Sequence, residues 1–180
     1  MENVKPSPSK PAIKWALIHV ITSIVLTYVF QFMGMGQSTL AKTVGFIPLI
    51  AFLLLAQKEY RDQRGGYMTF GQGFLPGFLY ALFSAIMLAI FIFVYMKLLN
   101  PEVLEQTIAA QKDKMVAQGL SEDQIETANN VTRNYGAIIG AVFTIIFFPI
   151  IGAVIALIGA AIFKKERSAF DPEPPADPTV

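Results

Sequence analysis

The chain has 180 residues, of which 54% are hydrophobic and 15% charged, with a net charge of +1, no cysteine and one histidine. A composition this apolar lies outside the range of soluble domains, and a net charge near zero supplies no field to draw the chain to nucleic acid. The missing thiols exclude disulfides, thiol redox chemistry and sulfur-ligated metals, and His19 alone cannot build a histidine-rich metal centre, so no metal site and no cofactor is expected.

Residues 1–11 carry Pro6, Pro8 and Pro11 among serines and lysines and read as a flexible tail. Four apolar runs follow, at about 12–33, 40–57, 74–99 and 136–163, each near the roughly 20 residues a helix needs to cross a hydrocarbon core about 30 Å thick. The first run is too long for the apolar core of a signal peptide and is read as a retained span. In it His19, Ser23, Thr27 and Gln31 recur every fourth residue, on one drifting stripe that should face protein and not lipid. An intramembrane histidine can be a relay or a ligand contact. No acid lies in any apolar run, so the preferred reading is a histidine hydrogen-bonded to a neighbouring helix.

Gly34, Gly36, Gln37 and Ser38 predict a short turn into an antiparallel second helix, with Lys42 anchored at its outer end and Pro48 kinking its middle. The stretch Lys58 to Gly73 is charged and glycine-rich, and reads as a loop. Its Arg61, Arg64, Gly65, Gly66 and Tyr67 form a candidate interaction surface. A phosphate cradle is disfavoured there, because the stretch follows a helix and lacks the P-loop lysine and serine spacing. The third helix is predicted from Phe74, with Pro76 in its first turn, and Asn100-Pro101 offers an N-cap and a first-turn proline to a new helix.

Residues 101–134 read as two amphipathic helices joined at Gly119-Leu120, the second opened by the capping box SEDQ at Ser121 to Gln124. Glu122, Asp123 and Glu126 lack the spacing of a calcium loop and read as a solvated face. In the fourth run Gly136, Gly140, Gly152 and Ala156 provide a small-residue face for packing within the chain or against a second subunit, and Pro149 predicts a kink. Residues 168–180, with four prolines and three acids, read as a disordered tail. No repeat relates the two helical pairs.

The expected fold is therefore an all-α integral membrane protein of four transmembrane helices in two hairpins, with an extracytoplasmic amphipathic segment between helices 3 and 4. Nine basic residues fall on the side of the termini and the loop at 58–73, against five on the other, so the positive-inside rule places both termini in the cytoplasm. Trp15, Tyr60 and Tyr67 suit the inner boundary, and Tyr95 and Tyr135 the outer.

The stretches RGGYMTFGQGF at Arg64 to Phe74, NPEVLEQ at Asn100 to Gln106, GLSEDQIE at Gly119 to Glu126 and IALIGAAIFKK at Ile155 to Lys165 occur in this order over roughly Lys14 to Lys165. In this the chain resembles the bacterial four-helix membrane proteins grouped as domain of unknown function 4199. The resemblance implies a bacterial inner-membrane location and brings no activity, substrate or catalytic residue. The expected function is a non-enzymatic structural or partner-binding membrane subunit, in contact with the bilayer and with itself or a membrane protein partner. The alternative is a component of an oligomeric transporter or channel.

Overall fold

The computed structural model describes residues 6–36 and 38–166; Lys5, Gln37, Arg167 and the tail at 168–180, which entered the reading above, lie outside the described residues. The chain forms α1 (Ser9–Phe32), a short α2 (Thr39–Val44), α3 (Phe46–Gln63), α4 (Phe70–Val94) continued by a π-helical turn (Tyr95–Leu99), α5 (Glu102–Ala117) and α6 (Glu122–Phe163). Among the described residues four segments are long and apolar enough to cross a membrane: α1, Thr39–Gln63, Phe70–Leu99 and α6. Among the described residues no strand occurs, only an isolated antiparallel bridge between Met68 and Lys165.

The helix ends follow from local chemistry. α4 and α6 each open with a complete capping box, Thr69 with Gln72 and Ser121 with Gln124, in which the side chains satisfy amides that have no partner inside the helix. α3 closes with Gly66 N donating to Arg61 O and Gly65 N to Asp62 O; α5 closes in the same way at Gly119 and Leu120. These are Schellman motifs, and Gly65 and Gly119 take them up at φ +74° and +77°, a region that side chains with a Cβ disfavour.

Several boundaries differ from the sequence reading. α1 begins at Ser9, so Pro11 lies in its first turn, where a missing N–H loses no helix bond. The second run is not one helix kinked at Pro48. It breaks at Gly45, and Pro48 sits in the first turn of α3, its ring placed where the carbonyl of Val44 would have continued a single helix. Conversely, α4 starts four residues earlier than Phe74, which puts Pro76 inside the helix. The stretch 58–73 is mostly helical: Lys58 to Gln63 complete α3 and Phe70 to Gly73 begin α4, leaving residues 64–69 as the turn. Asn100 caps nothing with its side chain, which donates to Tyr95 Oη at 3.2 Å. No break separates the second amphipathic helix from the fourth apolar run. α6 is one helix of 42 residues, about 63 Å long at 1.5 Å per residue.

Contacts fix the directions of the helices. Trp15 meets Glu59, Gln57 meets Gly73, and Tyr80 meets Leu49, so α3 runs against both α1 and α4. His19 meets Ser84 and Tyr28 meets Tyr95, so α1 and α4 run the same way. α6 lies antiparallel along α4: Gly73 faces Ala160, Gly77 faces Ala156 and Gly152 faces Ala81. Each step is four residues on both helices, which keeps one small-residue ridge in one groove. The core is Ala12, Ala16, Leu49, Leu53, Ala56, Tyr80, Ala81 and Ala156. Its many alanines let backbones approach closely, while Phe143, Ile146, Ile150, Val154, Leu157 and Ile162 of α6 remain exposed. Small residues inside and large apolar residues outside is the arrangement of helices packed in lipid.

Candidate functional site

The stripe on α1 divides between two environments. An α-helix advances 100° per residue, so Gln31 points about 120° away from His19, twelve positions earlier. His19 is 1% exposed and enclosed by residues of three other helices. Its Nδ1 lies 3.3 Å from Ser84 Oγ, and its ring stacks on Tyr80 and Phe148 at centroid distances of 5.6 and 5.7 Å, with Phe52 tilted at 6.3 Å. One of the two partners donates, depending on the tautomer. Tyr80 in turn donates to the carbonyl of Leu49 at 3.3 Å.

Ser23, Thr27 and Gln31 instead border a cleft of about 260 Å³ towards the far end of α1, together with Gly45 and Tyr95. Thr27 is satisfied within its own helix, donating to Ser23 O at 2.8 Å, and Gln31 reaches Gln106 at 3.5 Å. These three do not join His19.

A residue absent from the sequence reading ties the bundle together. Gln57 is fully buried, and its amide donates to the carbonyls of Gly73 and Ala156, 2.8 Å each, linking α3 to both α4 and α6. Turning the amide over would aim its oxygen at two carbonyl oxygens, so the orientation follows from electrostatics. Oε1 has no partner and lies against Gly159, where a Cβ would collide with it. In the sequence Gln57 stands between Ala56 and Lys58, where polarity reads as the end of a span; nothing local marks it as internal.

Two residues further on, Glu59 gathers the same end of the bundle. It accepts from Trp15 Nε1 at 2.7 Å and from Gln63 at 3.2 Å, and it is ion-paired with Lys14. Trp15 stacks on Phe52 at 5.7 Å.

The predicted interaction loop is held by rings. Arg61 pairs with Asp62 at 3.2 Å and lies 5.3 Å from the ring of Phe163, and Arg64 lies 5.5 Å from the ring of Tyr60. Gly65 and Gly66 form the turn, and Tyr67 carries Lys165 over its ring at 5.2 Å. Met68 and Lys165 exchange two backbone hydrogen bonds of 2.8 and 2.9 Å. The turn is thereby fastened to the end of α6.

The small-residue face packs within the chain. Gly152 and Ala156 meet α4, Gly136 meets Leu104 of α5, and Gly140 lies beside Ile92 and Met96. About three turns into α6, Arg133 donates to both oxygens of Glu105, at 2.7 and 3.0 Å, clamping α5 to α6. The Arg133 hydrogen bonds hold the Glu105 carboxyl below its ordinary range and raise the guanidinium in return. Among the described residues no group of three His, Asp or Glu side chains is arranged to hold a metal ion.

Fold and contacts together define an all-helical protein in which, among the described residues, four helical segments are suited to span a membrane, tied to one another by the polar bridges of Gln57, while an ion pair fastens α5 to α6. The family described as "Protein of unknown function (DUF4199)" matches residues 14–165, and the chain belongs to it. No curated protein and no solved structure matches the chain.

Proposed function

We propose that the chain is threaded through a bacterial inner membrane as two hairpins, with both termini and the α3–α4 turn in the cytoplasm. In this reading α5 and the first half of α6 stand outside, and the protein acts as a non-enzymatic structural or partner-binding subunit. The observation that carries it is the continuity of α6, one 42-residue helix packed along α4 and braced by α5 through the Arg133–Glu105 pair. Such a helix exceeds a 30 Å core by about 30 Å, and this excess presents a stiff helical pair to a partner. The basic surplus at the α3–α4 turn supports the orientation. The filled core favours a structural role over a single-chain pathway, since His19 stacks on Tyr80 and Phe148 across the bundle with Phe52 tilted beside it. Transport by several assembled chains is the alternative, with the cleft at Ser23, Thr27 and Gln31 as its starting point.

The test is purification of the full-length protein in native lipid after crosslinking. A stoichiometric membrane partner or homo-oligomer is expected, and it should be lost when Glu122, Asp123 and Glu126 are replaced together by lysine. A clean monomer with no partner would sink the reading.

A further inference from the structure

Basic side chains crowd the end of the bundle where α3 stops, α4 starts and α6 ends, and three of them are neutralised locally. Lys14 is paired with Glu59, Arg61 with Asp62 at 3.2 Å, and Lys164 with Glu166 at 3.2 Å. Arg64 and Lys165 differ. Among the described residues neither has a carboxylate within ion-pair distance, and each is held over an aromatic ring instead, Arg64 over Tyr60 and Lys165 over Tyr67.

Both line one cleft of about 410 Å³, with Tyr67, Thr69, Gln72 and Glu166. The cleft is built, not incidental. One wall is the start of α4, the other is the end of α6, and the Met68–Lys165 backbone bridge fixes their separation. Arg64 Nε is buried without a hydrogen-bond partner, and its Nη1 has only the 3.4 Å contact to Tyr60 Oη. A guanidinium has five N–H donors in a planar fork matched to phosphate oxygens, and here most of them are unspent. Rings steer the two cations but supply no anion.

We infer that this cleft holds the phosphate of an anionic phospholipid headgroup. The site lies where the apolar spans end, so its ligand comes from the headgroup layer, and basic pockets between spanning helices suit that chemistry. Two cations against the one carboxylate of Glu166, itself tied to Lys164, select a single phosphate over a polyanion. The inference rests on this end of the bundle lying at a membrane surface, and it does not depend on which leaflet that is.

The full-length protein in nanodiscs of mixed phosphatidylglycerol and phosphatidylcholine, read by native mass spectrometry of retained lipid, tests it. Phosphatidylglycerol should be retained preferentially; R64Q and K165Q should each weaken retention roughly fivefold and the double variant about thirtyfold. R61Q removes the same charge at a locally paired site and should change little. Equal weakening by R61Q would reduce the effect to diffuse surface charge and overturn the site, as would equal retention of the two lipids. Displacement by glycerol phosphate at matched concentration would assign the cleft to soluble phosphate esters and overturn the lipid occupant. Lys165 holds Met68 through backbone atoms only, so K165Q carries the test should R64Q fail to fold. Quenching of Trp15, the only tryptophan and bonded to Glu59 at this same end, by headgroup-level lipid probes shows independently whether the end lies at a membrane surface. A failed threading is thereby told apart from a failed site.

Discussion

Adding one methyl group at Gly77 tests the meeting point of α3, α4 and α6. A Cβ there would stand 2.8 Å from Ala156 Cβ and 2.8 Å from Gln57 Nε2, well inside the 3.5–4.0 Å at which carbon atoms pack. The helices must separate, or Gln57 must withdraw from the carbonyls of Gly73 and Ala156. Overpacking costs about 2 kcal/mol, and losing two interhelical hydrogen bonds adds about 1 kcal/mol. Alanine returns about 1 kcal/mol in helix propensity. The net loss for Gly77→Ala is about 2 kcal/mol. Gly71 is the matched control, because it lies in the same helix and a Cβ there meets nothing within 4 Å; Gly71→Ala should be neutral or slightly stabilising. The assay is equilibrium unfolding of the purified protein in mixed micelles. Adding Ala156→Gly should restore part of the loss in Gly77→Ala, since it removes one of the colliding methyl groups. If Gly77→Ala unfolds no more readily than Gly71→Ala, the three helices do not meet at Gln57 and the packing described here is wrong.

Three further outcomes follow from the other bridges. His19→Phe keeps the stacking on Tyr80 and Phe148 and should lose under about 1.5 kcal/mol, whereas His19→Ala empties an aromatic-lined space and should lose about 3 kcal/mol or more; equal losses would mean that the hydrogen bond to Ser84, not the ring, is what matters. Glu59→Ala should free Trp15 from its 2.7 Å hydrogen bond and lower the anisotropy of its fluorescence, and an unchanged value would remove Glu59 from the account of this end. The Glu105 carboxyl titrates below its ordinary value of about 4.5 because of Arg133, so its folded-state value is depressed relative to the unfolded chain. The stabilisation it brings is present above that ordinary value and is lost as pH falls through the folded one. Spin-label distances between α5 and α6 should therefore widen only in acid, and Arg133→Gln should widen them at neutral pH and remove the acid dependence.

Much of the fold was legible because lipid imposes a simple demand. Backbone groups must be satisfied within each span, so span length is written in uninterrupted apolar residues. The box at Ser121 to Gln124 and the stop at Gly119 were legible for the same kind of reason: each is a local motif whose partners lie three to five residues apart. Two other features depend on partners distant in sequence. Gln57 sits at the margin of its run, and only the arrival of Gly73 and Ala156 makes it internal. His19 and Gln31 share a four-residue spacing, yet the drift of the helix sends them to different neighbours. The α3–α4 stretch was read as loop for its charge, although Lys, Glu, Arg and Gln are good helix formers. The helix there ends only where Gly65 permits it.

The uninterrupted course of α6 also has a mechanical consequence. A rod about 63 Å long that pivots 5° about its middle moves each end by nearly 3 Å. The Arg133–Glu105 clamp grips the rod about three turns in from its start, and the Ala160–Gly73 contact and the Met68–Lys165 bridge hold its other end. Because α6 runs unbroken through Pro149, a displacement of the α5–α6 pair is passed along it as a sliding of α6 against α4.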